Sequence, residues 1–142
     1  MKLSDLQRFS VEVQPHATGG MEATLFVLGG TKIDSGSQRQ LDMFSFVSKG
    51  KSEEDATANA TDLCLEVLEN TKDIADIVKV GVRELIEVDG VFKAKVQVGL
   101  FDKESEGADL IRKKGFGFGE AKDIKEAQKN AVESALRLMG ER

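Results

Sequence analysis

Glycines that directly precede a helix are the residues of this chain whose spacing best suits the binding of a small anion. The segment Gly115–Gly119 alternates glycine with phenylalanine and leads into a helix predicted to begin near Asp123. Glycine allows a ligand close to the backbone, and the first turn of a helix offers free N–H groups to a carboxylate or a phosphate. Residues 50–52, Gly-Lys-Ser, repeat this arrangement before an earlier helix. The same glycines would also serve simply to ease the turn from strand to helix.

Groups that could carry catalysis are sparse. His16 is the only histidine, and its surroundings, Pro-His-Ala-Thr-Gly-Gly, predict an exposed turn. Cys64 is the only cysteine and is predicted to lie on the buried face of a helix, so neither an internal disulfide nor a cysteine zinc site is expected. The carboxylates are scattered over helix surfaces and the loop 102–109. We therefore expect a non-catalytic protein without a cofactor or a metal, located in the reducing cytoplasm.

Two patterns of apolar residues predict the elements that position these residues, and both patterns recur 71 residues later in the chain. Apolar residues alternate in 21–28 and, 71 residues later, in 92–98, as they do in half-buried strands. They recur every three to four residues in 56–68 and, at the same offset, in 127–139, as they do in helices. The coincidence predicts a single domain, residues 1–142, built of two repeats at about residues 6–70 and 76–140.

Each repeat is predicted to contain three strands and then a helix, which gives an α+β fold. We expect antiparallel sheets with helices on one face, and a pseudo-two-fold axis whose junction is a natural ligand site. Ser52 and Asp123 are the expected N-cap residues of the two helices. The predicted strands are Phe9–Val13, Met21–Leu28, Leu41–Val47, Val78–Leu85, Val91–Phe101 and Leu110–Phe118, and the helices end near Glu69 and Met139. The inward helix positions are mostly alanine, namely Ala56, Ala60, Ala127, Ala131 and Ala135.

Charge is unevenly distributed along the chain, whose formal net charge is −5. Residues 1–70 carry 6 Lys and Arg against 11 Asp and Glu, whereas residues 71–142 carry 14 of each. No apolar run is long enough to cross a membrane, and no secretory leader is expected. The acidic first repeat argues against a nucleic-acid binder, because such proteins usually concentrate a basic surplus on one face.

The glycine turns and the order of elements resemble the C-terminal regulatory domain of 2-isopropylmalate and citramalate synthases, itself a duplicated β-β-β-α unit. Residues Lys2–Gln7 look like the segment that opens that domain. Gly50–Ala56 is similar to the family's first turn, Gly-Asp-Gly-Pro-Val-Asp-Ala. Gly117–Gly119, followed by Asp123–Ala127, is similar to the second turn, Gly-x-Gly and then Asp-Ile-Ile-x-Ala.

This resemblance implies an allosteric, dimeric module for feedback control in leucine biosynthesis. Such a homodimer would bind a branched-chain amino acid, leucine or isoleucine, and would act on a catalytic synthase subunit. The effector's carboxylate would lie on backbone N–H groups at a helix start, with its aliphatic tail in an apolar pocket. The implied ligand-binding residues are Gly50, Ser52, Asp55, Gly117, Gly119, Asp123 and Ile124.

Nucleic-acid binding is the alternative function. Lys114–Phe118 matches the first five positions of the aromatic signature of RNA-recognition motifs. Strands followed by the alanine-rich helix also resemble double-stranded-RNA-binding and single-strand-annealing proteins. In this alternative the basic cluster Arg112–Lys114 would contact phosphates, and Phe116 and Phe118 would contact bases. A third possibility is a scaffold that binds another protein through exposed strand edges.

Overall fold

In the part of the chain that the structure describes, six strands and two helices follow one another in the order that the sequence predicts. The computed structural model describes residues 8–17, 19–28, 43–74, 77–101 and 111–142. The strands are β1 (Arg8–Pro15), β2 (Met21–Leu28), β3 (Met43–Gly50), β4 (Ile77–Val88), β5 (Val91–Phe101) and β6 (Ile111–Ala121), and the helices are α1 (Glu53–Asn70) and α2 (Ile124–Leu138). The α+β class is therefore confirmed. Predictions for Lys2–Gln7, Leu41 and Leu110, and for the loop 102–109, lie outside the described residues.

All six strands form one sheet in the order β1-β2-β3-β4-β5-β6. Four neighbouring pairs are antiparallel, but β3 and β4 are parallel, so the expected antiparallel sheets are one mixed sheet. The cause is α1, which returns the chain to the starting end of the sheet, as a crossover connection between parallel strands must. Pro15, which we expected to follow β1, belongs to it, because a strand at a sheet edge tolerates proline.

The two repeats follow each other along the sheet in the same direction, so the structure does not confirm the pseudo-two-fold axis. Such an axis would make the two central strands equivalent and antiparallel. Instead, β3 is the last strand of one repeat and β4 the first of the next, and the two are parallel. Equivalent contacts do recur at the 71-residue offset. Asn59 donates to the carbonyl of Lys49 (2.8 Å), and Asn130 donates to the carbonyl of Glu120 (3.3 Å).

The hydrophobic core lies between the two helices and one face of the sheet, which we call the inner face. Alternate strand residues such as Leu25, Phe46 and Val96 are fully buried there. The five predicted inward alanines of α1 and α2 are also fully buried, which confirms that assignment. The opposite side of the sheet, which we call the outer face, carries neither α1 nor α2. Within the described residues, neither α1 nor α2 is both long enough and apolar enough to cross a membrane.

The sheet opens where the two repeats meet. Only two residue pairs join β3 to β4, Phe44 with Val80 and Ser45 with Gly81, and a bulge interrupts β4 just beyond them. Gln128 of α2, completely buried, occupies the opening. Its side chain accepts a hydrogen bond from the N–H of Val47 (3.0 Å) and donates to the carbonyl of the same residue (2.5 Å). A buried amide thus supplies the backbone partners that β4 does not provide.

Candidate functional site

Two glycines of the predicted ligand-binding turn lie beneath α2. A Cβ atom at Gly117 would lie closer than 3.0 Å to the backbone of Ala131 and Ala135, and one at Gly119 equally close to that of Ala127 and Ala131. Real Cβ atoms do not approach backbone atoms so closely, so these glycines serve the close packing of α2 on β6. The space above their inner face is occupied by the helix itself. A side chain introduced at Gly117 or Gly119 would therefore displace α2.

The other glycine of the predicted site has the same packing role in the first repeat. A Cβ atom at Gly50 would lie closer than 3.0 Å to atoms of Asp55 and Ala56. Gly50 is the last residue of β3, and the chain then turns tightly into α1. Ile124 is 7% exposed and belongs to the hydrophobic core.

The polar residues of the predicted site cap the two helices. Ser52 accepts a hydrogen bond from the N–H of Asp55 (3.2 Å), and Asp55 itself is exposed in the first turn of α1. Asp123 accepts from the N–H groups of Lys125 (2.8 Å) and Glu126 (3.1 Å). Both N-cap predictions are confirmed. The structure therefore brings the predicted residues together at the start of each helix, but several of the N–H groups there already have an internal partner.

The third strands of the two repeats carry their aromatic residues on opposite faces. On β3, Phe44 and Phe46 point inward and are buried, whereas the equivalent inward positions of β6 are glycines. On β6, Phe116 and Phe118 point outward and are 44% and 64% exposed. Because successive side chains of a strand alternate between faces, the Gly-Phe-Gly-Phe-Gly sequence lets α2 approach one face and places two aromatic rings on the other.

A lysine of the neighbouring strand lies beside both exposed rings. The Lys95 ammonium is 4.9 Å from the ring centre of Phe116 and 5.9 Å from that of Phe118. These distances are typical of cation–π contacts. Lys95 comes from β5, which pairs with β6 so that Lys95 lies directly opposite Phe118. The sheet register therefore combines two aromatic rings and one cation on a single surface.

An open pocket of about 220 Å³ adjoins this surface. Its apolar side is formed by Phe118 and by Ile86 of β4, which is 54% exposed. Ala94 and Gly119 also line the pocket, and its other four lining residues are charged: Glu84, Lys93, Lys95 and Glu120. An apolar floor with a charged rim suits a flat ligand that carries charge at its edge, such as a base attached to its phosphate.

Cationic side chains outnumber carboxylates on the outer face of the second repeat. Among the described side chains of this face, two are carboxylates, Glu84 and Glu120, and five are cationic: Lys79, Arg83, Lys93, Lys95 and Lys114. Some of this charge is engaged, since Arg83 donates to Gln97 and Lys93 lies 3.8 Å from Glu120. Among the side chains that the structure describes on the outer face of the first repeat, by contrast, Glu12 and Glu22 outnumber Lys49. The outer face is therefore electrostatically asymmetric, although the whole chain is acidic.

The predicted basic cluster Arg112–Lys114 is divided between the two faces. Lys113 donates to the carbonyl of Met139 at the end of α2, so it stabilises a helix end rather than an outer surface. Lys114 is exposed on the outer face, on the same side of β6 as Phe116. The Arg112 side chain lies outside the described residues. Alternation along the strand separates lysines that are adjacent in sequence.

His16 is less exposed than its turn sequence predicts. Its side chain is 11% exposed, and its Nε2 atom lies 3.7 Å from a carboxylate oxygen of Glu22 and 4.0 Å from one of Glu87. Lys49 also lies 3.9 Å from Glu87, so the histidine belongs to a mixed-charge cluster that spans β1 to β4. Among the described residues, no three His, Cys, Asp or Glu side chains are grouped so that they could hold a metal ion.

Comparison with known proteins assigns no family to this chain. It matches no protein-family model, and it has no significant match among curated proteins.

Lys95 is the residue of this face that sequence reasoning missed. A signal was present, because Val91–Phe101 alternates and places Lys93 and Lys95 on its polar side. What the pattern could not indicate was the pairing register that sets Lys95 opposite Phe118. That register depends on contacts between strands, and a single strand does not encode it.

Proposed function

We propose that this protein binds nucleic acid on the outer face of β4, β5 and β6, without catalysing a reaction. The observation that carries the proposal is the pair of outward rings, Phe116 and Phe118, with the Lys95 ammonium beside both. Exposed aromatic side chains next to cations are the means by which many proteins hold bases and phosphates together. Neighbouring exposed aromatic rings are uncommon on a sheet face that contacts only solvent.

The local charge supports this function better than the net charge of the chain does. Phosphate contacts depend on cations within about 10 Å at ordinary salt, so the sign of a distant surface matters little. Lys95 and Lys114 lie on either side of Phe116 on the outer face. The carboxylates of the first repeat would repel a nucleic acid there and confine it to the second repeat.

Neutralising the two lysines tests the proposal. In the double variant Lys95→Gln/Lys114→Gln, the affinity for a labelled oligonucleotide is expected to fall about tenfold or more. The slope of log affinity against log salt should also decrease, by about 1.4 for a single strand and about 1.8 for a duplex, because each phosphate contact contributes about 0.7 or 0.9 respectively. Fluorescence anisotropy over a salt series measures both quantities.

The matched control is Lys51→Gln/Lys72→Gln, which removes the same charge from two exposed positions away from the proposed surface, one just before α1 and one just after it. Its affinity and its salt slope should stay close to those of the unmodified protein. Equal losses in both double variants would mean that only net charge matters. No loss in either, or no binding at all, would contradict the proposal.

Binding of leucine or isoleucine remains a prediction, and the same samples can test it. A specific effector at about 100 times its dissociation constant adds about 2.7 kcal/mol to the free energy of unfolding, which raises the melting temperature measurably. The site expected for such an effector includes Gly117 and Gly119, whose inner side is covered by α2. A thermal shift with leucine, in a protein that binds no oligonucleotide, would replace our proposal with the regulatory one.

The cytoplasmic location and the homodimer also belong to the proposal. The location rests on the single buried cysteine, because a reducing compartment makes no use of disulfides. The homodimer rests on β1 and β6, which form the two edges of the described sheet and could pair with the same strands of a second copy. A catalytic synthase partner would be expected only if the amino-acid effector binds.

A further inference from the structure

We propose further that the outer face selects single-stranded over duplex nucleic acid, with two consecutive bases on Phe116 and Phe118 and the phosphate between them at Lys95. This inference rests on the proposed function and specifies its ligand. It is carried by three observations on β5 and β6: the spacing of the rings, the position of the ammonium, and the charges at either end of the ring pair.

The spacing of the two rings does not fit stacked bases. Phe116 and Phe118 are two residues apart on one strand, so their attachment points are about 7 Å apart. Bases in a duplex are stacked at about 3.4 Å, and each base face is covered by its neighbours. A duplex therefore presents no free base face to either ring. A single strand can separate its bases and place one on each ring.

The ammonium of Lys95 lies where the link between two such bases would pass. It is within 6 Å of both ring centres, at 4.9 and 5.9 Å, and therefore contacts the pair rather than one ring. A phosphate joining two bases carries one negative charge, which this cation can neutralise. One ammonium group close to two rings thus corresponds to one phosphate linking two bases.

On the outer side of β6, a charged residue lies at each end of the row formed by Phe116 and Phe118. Beyond Phe116 the next outward residue is Lys114, and beyond Phe118 it is Glu120; both are exposed. A cation at one end attracts the next phosphate, whereas a carboxylate at the other end repels it. The row therefore accommodates two bases, and the strand continues past Lys114 rather than past Glu120.

Replacing the rings while keeping their apolar character tests this inference. The variant Phe116→Leu/Phe118→Leu retains bulk and strand preference but removes the flat faces. We expect it to bind a labelled oligodeoxythymidine about tenfold or more weakly, with the salt slope unchanged. The unmodified protein should bind that oligonucleotide about tenfold or more tightly than a blunt duplex of the same length. Phe26→Leu, on the outer face of β2, is the matched control and should bind normally.

The outcomes separate this inference from the proposed function. If single strand and duplex bind equally well, and the Phe116→Leu/Phe118→Leu variant binds as the unmodified protein does, the two-base site is overturned. In that case a loss of affinity in Lys95→Gln/Lys114→Gln would still support nucleic-acid binding by charge alone. If neither oligonucleotide binds at all, the proposed function is wrong, and this inference, which depends on it, is wrong as well.

Discussion

Cys64 lies on the inward side of α1, where it is fully buried, as its place in the helical pattern predicts. Burial disfavours the thiolate and raises the pKa of this thiol from 9.0 to about 12. The thiolate is the reactive form of cysteine, so the folded protein holds Cys64 as an inert, protonated core residue at neutral pH.

The raised pKa of Cys64 predicts a loss of stability at alkaline pH. As the pH rises above 9.0, the unfolded chain releases the thiol proton before the folded protein does. The unfolded state then binds fewer protons, so the free energy of unfolding falls, by about 1 kcal/mol one pH unit above that point. Denaturant titrations of the unmodified protein and Cys64→Ala, at neutral and alkaline pH, measure this. Cys64→Ala should show the smaller decrease, and equal decreases would refute the assignment.

The packing of α2 on β6 sets the arrangement of the second repeat. Glycines on the inner side of β6 allow the helix backbone to lie against the strand, and fully buried Ala131 and Ala135 complete the contact. The first repeat has Phe44 and Phe46 at the equivalent inward positions. The two repeats therefore contain different versions of the same strand–helix element, and only the second version places its aromatic side chains on the outer face.

Gly117→Ala should therefore destabilise the protein by about 3 kcal/mol, because the added methyl group meets the backbone of α2 and overpacks the contact. Gly81→Ala is the matched control. It is also a strand glycine, but an added methyl group would lie 3.4 Å from the Ser45 hydroxyl, an ordinary contact. Its stability should change little, or rise slightly, since alanine restricts the unfolded chain. Chemical denaturation measures both, and similar effects at the two positions would contradict this account of β6.

The two repeats are joined by more than a shared sheet. Gln128 of α2 binds the backbone of Val47 in β3, and Lys129 of α2 lies 3.0 Å from a carboxylate oxygen of Glu66 in α1. Hydrogen bonds to Glu126 and to Glu66 raise the pKa of Lys129. The buried apolar residues of both repeats also belong to one core.

This continuity predicts a single cooperative unfolding transition. Cys64 provides a probe confined to the first repeat, because its thiol reacts only when the core around it opens. The denaturant midpoint for thiol labelling should coincide with that for far-UV circular dichroism, which reports on both repeats. Gly117→Ala, although it lies in the second repeat, should lower both midpoints together. Thiol labelling that stays unchanged in this variant would mean that the repeats unfold independently.

Local patterns in the sequence determined the α+β class, the order of the eight elements, the helix caps at Ser52 and Asp123, and the burial of Cys64. These features follow from periodicity and capping within a few neighbouring residues. Only the tertiary structure decided that β3 and β4 are parallel, that α2 covers Gly117, and that Lys95 lies beside Phe116 and Phe118. The reason is physical: these relations depend on which strands become neighbours and in what register. The packing of the whole core selects both, and a short stretch of sequence carries no information about its distant partners.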